Sequence, residues 1–562
     1  MSDINSSVSL NTNSSTMYVS GTSGYDYSAL IEAQYQAKLQ PAYDLDTEVK
    51  EHNLQIAAYT EMQSLLQGLQ TSMNQLTTSG SYGETDIFDN KAGFFSSSSS
   101  TSADSLIGAS VTSDATAGTY EIEVSQVAEA HKIASGTVAD STADLGYSGD
   151  FTIASGSGAA TTISVDATTS LSELATMINA ETGTTGVVAS VLQVGTNDYR
   201  LILTAQNTNE EIAITSTSGD DLMQSIGVTD GLGGFTNELQ AAEPAILVVD
   251  GITVTRDDND IDDLIEGVTF SLYGEEPGTK ITFEIEEDLG GVSNAITAFV
   301  EAYNSYRDFA LTHQATTEDG IASESAVLFG DATLRTVNAQ VYEYLSQVVE
   351  VDGESYSLGN LGITFDSSNK LVVDSSKLEN ALLTNMDAVK GLFRFEASSS
   401  SSELAVTGHA GKFGDMDFTL NVTVDGSGNL TGADIDGDSA MVTVNGSVIK
   451  GAAGSAYEGL QFTYVGNSSQ AISVSISQGI ADSISYLMDL LADSQTGMLA
   501  EQVDELEETV AEKTEESQEL QTKAQSYYTD LIDKYAKIEA RIKASELMIN
   551  QIQALLDASN NN

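Results

Sequence analysis

The side chains best suited to chemistry are few and scattered. His52, His131, His313 and His409 are the four histidines of the 562-residue chain. They stand far apart with no metal-ligand spacing, and each reads as an ordinary surface or packing residue. The chain has no cysteine, which removes disulfides, thiolate metal sites and cysteine nucleophiles together. Two acidic runs carry the oxygen ligands that calcium prefers: Arg256–Asp263 holds Asp257, Asp258, Asp260, Asp262 and Asp263, and Asp425–Asp438 holds Asp434, Asp436 and Asp438 among glycines. Neither follows the EF-hand order of ligands with its central glycine and closing bidentate Glu, so solvated hairpin turns are the expectation. No Gly-rich phosphate loop, nucleophile elbow or zincin motif occurs. A glycosidase would need two carboxylates converging across a cleft, which linear spacing among 83 acidic residues cannot identify. The expectation is no enzyme, no cofactor and no resident metal.

Charge narrows the partners. The 21 basic and 83 acidic residues give a formal net charge of -62 and a pI near 4.1. Without a cluster of Lys or Arg to displace counterions, nucleic acid is a poor partner, and an anionic membrane surface is equally poor. So many carboxylates suit a hydrated surface in saline or extracellular water, where salt screens their repulsion. No apolar run approaches the roughly 20 residues that span a bilayer. The first basic residue is Lys38, so the start lacks the charged region of a cleavable secretory signal, and export would need another route.

A content of 41% hydrophobic residues argues for packed cores, and the length for several of them. Residues 1–24 are mostly Ser, Thr, Asn and Gly and read as a flexible tail. From Tyr27 to about Leu76 the pattern is helical, with a stripe at Tyr59, Met62, Leu66, Leu69, Met73 and Leu76. Beyond Gly497 there is neither Gly nor Pro, and a heptad seam runs through Leu499, Val503, Leu506, Val510, Leu520, Ala524, Tyr527, Leu531, Ile538, Met548, Ile552 and Leu555. Lys513, Ser517, Lys534, Arg541 and Ser545 interrupt it. Of these seam residues, Leu499, Val503, Leu506, Val510, Leu520, Leu531 and Ile538 are the expected self-association set. The bland alternative is that the seam packs only against Tyr59–Leu76 of the same chain.

Between these ends the chain reads as β-structure. Ile246–Thr255 alternates around Asp250-Gly251 and Met441–Ile449 around Asn445-Gly446, both matching two-residue hairpin turns. Thr119–Val127, Thr161–Val165, Val187–Val194 and Tyr199–Thr204 are further short strands, with a brief helix at Leu171–Ala180. Helices are expected at Val292–Leu311, Ala332–Val348 and Ser375–Phe393, followed by a Ser-rich break at Ser398–Ser402 and a β-rich stretch through Ile476. The fold class is α+β and multidomain: a helical coiled-coil or bundle leg from the N- and C-terminal segments, with β-rich head domains inserted between them.

Several colinear segments resemble the flagellar hook-associated protein 2 family, the filament cap. Gly24-Tyr25-Asp26-Tyr27-Ser28-Ala29-Leu30-Ile31, with Pro41 beyond it, is similar to the family's opening "GLD…SLV…P", with Tyr25 in place of Leu. Ala117-Gly118-Thr119-Tyr120-Glu121-Ile122-Glu123-Val124-Ser125-Gln126-Val127-Ala128 resembles its "AGTYxIxVxQLA" segment. Residues 171–204 resemble the insertion module shared with flagellins, and Val249-Asp250-Gly251-Ile252-Thr253-Val254-Thr255-Arg256 resembles "VDGVTVTR". Phe299–Asn304, Gly330–Arg335, Leu361–Phe365 and Asp387–Phe393 continue the same order. Residues 396–477 have no clear place in the pattern and read as an additional β domain.

The resemblance implies an oligomeric ring at the filament tip, of five or six copies, that helps exported flagellin fold and insert. It implies flagellin, the hook-filament junction protein and an export chaperone as partners, and passage through the flagellar type III channel. The domain expectation is a flexible export or leg segment at 1–40; a helical leg from 41–87, 291–395 and 480–535; a first head from 88–118 and 240–290; a flagellin-insertion-like second head at 119–239; the additional domain at 396–479; and a helical tail at 536–562. Flagellin or a junction protein would share the paired terminal helices, but the "VDGITVTR" hairpin followed by further helices is expected of a cap. A surface adhesin is the alternative from the binding class.

Overall fold

The computed structural model describes residues 27–77, 86–351 and 353–560. The flexible tail expected at residues 1–24 lies outside them. With 40% of residues helical and 31% in strands, the chain is a mixed helix-and-sheet multidomain protein. It divides into two compact units, one of Met1–Gly80 with Ala295–Asn562 and one of Ser81–Asn294.

The Ser81–Asn294 unit holds two cores. In the first, five antiparallel strands run in the order Lys91–Ser97, Ile281–Glu287, Gly118–Gln126, Ala245–Val249, Ile252–Arg256. A three-stranded sheet of Asp260–Ile265, Val268–Leu272 and Ile107–Val111 shares that core. Alternation decides the faces: Ile122 and Val124 point inward beside Leu247, Phe270, Ile281 and Phe283, all buried. The chain turns at Asp250-Gly251 with φ of 50° and 81° and pairs Val249 with Ile252, the expected type I′ geometry.

The second core lies between the sheet Glu238–Gln240, Lys132–Ala134, Asp198–Ala205, Val187–Gly195 and the sheet Thr161–Val165, Gly149–Ser155, Ile212–Gly219. The helix Leu171–Ala180 sits where expected and opens with a capping box, Ser170 bonding Glu173 N and the Glu173 carboxylate returning to Ser170 N. One boundary needs correction. The strand Gly118–Gln126, expected in the head at 119–239, pairs with Ile281–Glu287 and Ala245–Val249 in the first sheet. Its inward face is apolar in the register of those neighbours, so packing and not sequence adjacency assigns it.

The other unit is built on helices: Ser28–Asn74, most of Leu289–His313, Ala332–Leu345, Ser375–Thr384, Met386–Phe393, Ile480–Ala492 and Met498–Asn560. The single helix expected over Ser375–Phe393 is two, broken at Asn385 with φ -151° and ψ 41°. The Asn385 side-chain amide donates to the Tyr356 hydroxyl at 3.3 Å, a side-chain bond to a residue outside both helices. Between Met386–Phe393 and Ile480–Ala492 the chain inserts a β-sandwich. One sheet is Phe395–Ser399, Gln470–Gln478, Met416–Val424, Leu430–Ile435; the other is Leu404–His409, Leu460–Tyr464, Val448–Gly451, Val442–Asn445.

Leu420, Ile449, Phe462 and Ile472 fill the sandwich core. Ser398 and Ser399, expected in a break, belong to a strand instead, because their backbone pairs with Ser475 and Val474. The hairpin expected to turn at Asn445-Gly446 turns one residue later, with Asn445 paired to Val448 and Gly446 at φ 61° in the first turn position, where a type II′ turn wants glycine.

Candidate functional site

The groups first suspected of chemistry are occupied locally. Arg256 Nε donates to Asp263 at 2.7 Å, and that bond holds the Asp263 carboxyl below its ordinary value. Asn209 and Thr208 take up Asp257 and Asp258, and Ser271 donates to Asp260. In the other run Asp434 accepts from Asn421 and Gly437 N, Asp436 from Thr419 N and Asp438 from Ala440 N. Among the described residues no three metal-binding side chains converge. His131 and His313 are buried, each ring Nδ1 accepting a backbone N–H, from Ile212 and Leu328. Burial lowers the His313 pKa. His409 lies beside Asp482.

What the termini assemble is an extended antiparallel pair. The helix Met498–Asn560 has 63 residues, about 95 Å at 1.5 Å per residue. It is set off from Ile480–Ala492 by a short turn in which Asp493 accepts from Gln495 N, Thr496 N and the Thr496 hydroxyl. These bonds hold the Asp493 carboxyl below its ordinary value. Cross-helix contacts then step along both helices in opposite directions. Lys513 Nζ meets Glu48 at 2.5 Å, Ser517 Oγ meets Asp46 at 2.6 Å, and Tyr527 OH meets Gln34 at 3.1 Å. Tyr35 stands against Tyr528 with ring centres 4.7 Å apart, and Tyr27 stacks on Tyr535 at 4.9 Å. Ala42, Ser517 and Ala524, all nearly inaccessible, are small enough to let the helices close up.

The seven residues expected to self-associate fall on this pairing in different degrees. Leu499 and Leu531 are buried within the single chain, and Val503, Leu506, Val510, Leu520 and Ile538 are half-buried. Two of the polar interruptions have partners: Lys513 binds Glu48, which raises the lysine pKa and lowers the glutamate's, and Ser517 binds Asp46. The stripe Tyr59–Leu76 is buried as expected, but its polar neighbours tie to other helices than Met498–Asn560. Gln63 donates to Asp493 O, Gln67 to Ala492 O, and Gln70 to Ser485 O and Asp489, while Tyr59 donates to Asp331 at 2.7 Å. Burial and that bond push the Tyr59 hydroxyl pKa up. The antiparallel run brings the residues before Tyr59 to the seam instead.

From Lys534 onward the helix changes character. Lys534, Lys537, Arg541 and Lys543 form a basic band in a strongly acidic chain. Met548, Ile552 and Leu555, on the same seam, are 62%, 53% and 71% exposed, with Leu547, Ile549 and Leu556 exposed beside them. Together the six residues fall on four of the seven heptad positions, a face broader than a two-stranded seam needs. No described helix is long and apolar enough to cross a membrane. Of the five tyrosines that meet across the two helices, Tyr527 stands on the heptad seam expected from the sequence, whereas Tyr528 and Tyr535 lie off it and Tyr27 and Tyr35 come from the other segment.

The chain also matches known proteins. The family profile for the flagellar hook-associated protein 2 C-terminus matches residues 242–546, that for its N-terminus 23–131, and the flagellin hook IN motif 150–207. Flagellar hook-associated protein 2 of Escherichia coli K12 is 32% identical over 386 residues, covering 66% of this chain and 78% of the relative. The A-type flagellar hook-associated protein 2 of Pseudomonas aeruginosa is 28% identical, covering 59% and 70%. The crystal structure of the D1-D2-D3 domains of the Escherichia coli flagellar cap protein is 24% identical, with a TM-score of 0.48, over 80% of this chain and 99% of that one.

Proposed function

The chain belongs to the flagellar hook-associated protein 2 family and has the role of a flagellar filament cap, and from that premise we propose how it acts. It assembles as a homo-oligomer at the distal tip, with the β-rich unit as head and the paired terminal helices as leg. It retains arriving flagellin and promotes its folding and insertion. The observation that carries this reading is the colinear family match, which spans both terminal helices and the head strands between them. Passage through the flagellar type III channel with an export chaperone, and contact with the hook-filament junction protein, belong to the same proposal.

Self-association is supported most directly by the exposed face from Leu547 to Leu556, because an apolar face of that width beside a soluble acidic helix calls for another apolar surface. The seam residues Leu499 to Ile538 then act one step back, holding the leg straight so that the face is presented. Deleting the gene tests the function: cells should release flagellin monomer into the medium and swim poorly. Filaments of normal length in the deletion strain would overturn it.

A further inference from the structure

The inserted β-sandwich meets the helical part of its unit through two adjacent chain crossings. The chain enters at Arg394, directly after Met386–Phe393, and leaves at Gly479, directly before Ile480–Ala492. Gly479 N donates to Arg394 O at 2.8 Å, and a Cβ on Gly479 would stand 2.2 Å from the Phe393 carbonyl carbon. Two crossings this close form a narrow neck, about which an inserted domain turns unless further contacts hold it.

The strand end and loop at residues 409–413 supply such contacts, beside a second set in which Asp415 Oδ2 accepts from Glu350 N and Ser477 Oγ donates to Glu350 O, each at 3.3 Å. His409 Nε2 is 2.9 Å from Asp482 Oδ1, and its ring stacks on Phe395 at 4.1 Å with 8° between planes. Gln478 Nε2 donates to the other Asp482 oxygen at 2.6 Å and to Gly411 O at 2.9 Å. Gln478 Oε1 accepts from Phe413 N at 2.7 Å. The neighbouring Lys412 holds its ammonium 4.4 Å from the Tyr344 ring centre and 3.4 Å from Glu343 Oε1.

Gln478 is 4% and Asp482 8% exposed. A carboxylate buried to that degree needs both oxygens satisfied, and here His409 and Gln478 satisfy them from the sandwich side. Asp482 also lies in the first turn of Ile480–Ala492, where the helix N-terminus favours negative charge. His409 and Gln478 adjoin the edge of the sandwich's core at Phe395 and Phe413.

We propose that His409, Lys412 and Gln478 form a latch, closed on Asp482 and Tyr344, that fixes the orientation of the inserted sandwich on the helical part. Opening the latch frees the sandwich to turn as an intact body about Arg394 and Gly479. In a protein that assembles with copies of itself, this fixes which sandwich face each copy presents.

The chain has no cysteine, so Ser427→Cys on the sandwich and Thr336→Cys on the helix Ala332–Leu345 give a specific pair of spin-label sites in the full chain. The latched protein should show one narrow distance distribution, and His409→Ala a broad one. His409→Gln, whose amide can still donate to Asp482, should restore the narrow one. Hydrogen exchange in the same variants should rise about tenfold or more at residues 409–413 and 478–484 on loss of the charged bond, with Met416–Val424 still protected. Lys412→Ala, which removes a half-exposed grip and leaves the buried network in place, should speed exchange at 409–413 by a smaller factor. A narrow distribution in His409→Ala overturns the latch. So does loss of protection throughout the sandwich, which would make these residues part of its core, or unchanged exchange at 409–413 in Lys412→Ala.

Discussion

Along the helix Met498–Asn560, Leu531 and Leu555 stand on one heptad seam, yet Leu531 is 4% exposed and Leu555 71%. Up to Tyr535 the seam has a described partner in the helix Ser28–Asn74, whose first residues lie opposite Tyr528 and Tyr535. Beyond that point the apolar pattern continues while the described cover does not. The charge changes with it: Glu501, Asp504, Glu505, Glu507, Glu508, Glu512, Glu515, Glu516 and Glu519 lie in the paired stretch, Lys534 stands at its end, and Lys537, Arg541 and Lys543 follow. Periodicity therefore tells which face is apolar, whereas only the length of the partner tells where that face is satisfied.

Truncation should break this comparison most strongly. Ending the chain at Gly497 removes the cover from Ile31, Leu39 and Ala42, so the first half of Ser28–Asn74 should become protease-sensitive and assembly should fail. Ending it after Tyr535 should leave the melting temperature close to that of the full chain. Point variants sharpen the contrast. Leu531→Ala should cost roughly 2–5 kcal/mol in denaturant unfolding of the helical unit. Leu555→Ala should stay within about 0.5 kcal/mol, its effect appearing in assembly instead.

A smaller effect is expected from acid. The Lys513 bond holds the Glu48 pKa below its ordinary value, and the turn amides and Thr496 do the same for Asp493. A depressed carboxylate pKa contributes stability that is present above the unfolded value and lost as pH falls through the folded one. Thermal melts should therefore be flat from neutral pH to about 5 and decline below about 4, the ordinary carboxylate range. The smallest effect should come from salt. A net charge of -62 makes copies repel one another, and the Debye length falls from about 30 Å at 0.01 M to about 3 Å at 1 M. Association measured by sedimentation should strengthen across that range. Tighter assembly in dilute buffer would show that the basic band, and not bulk repulsion, governs it.

Much of this was legible from residue pattern. The stripe Tyr59–Leu76, the helix Leu171–Ala180 and the Asp250-Gly251 turn follow from local rules that the tertiary structure leaves alone. The misplaced features depended on distant partners. Ser398 and Ser399 carry little strand propensity and are strand only because Val474 and Ser475 pair with them. Gly118–Gln126 belongs with strands more than a hundred residues away. The partner of the C-terminal seam was set by where the short turn at Asp493 directs the second helix, which no heptad count contains. His409 and Asp482 are 73 positions apart in the sequence, and neither residue alone marks a contact.

Sedimentation velocity of the full chain beside a chain ending after Tyr535 tests the central claim most directly. The two share the paired helices, the strands between Lys91 and Glu287 and the sandwich, and differ in the exposed face from Leu547 to Leu556. The full chain should sediment as an oligomer and the shortened one as a folded monomer with unchanged circular dichroism per residue in its sheets. Oligomers of equal size from both chains would contradict the account, because assembly would then rest on surfaces other than the face from Leu547 to Leu556.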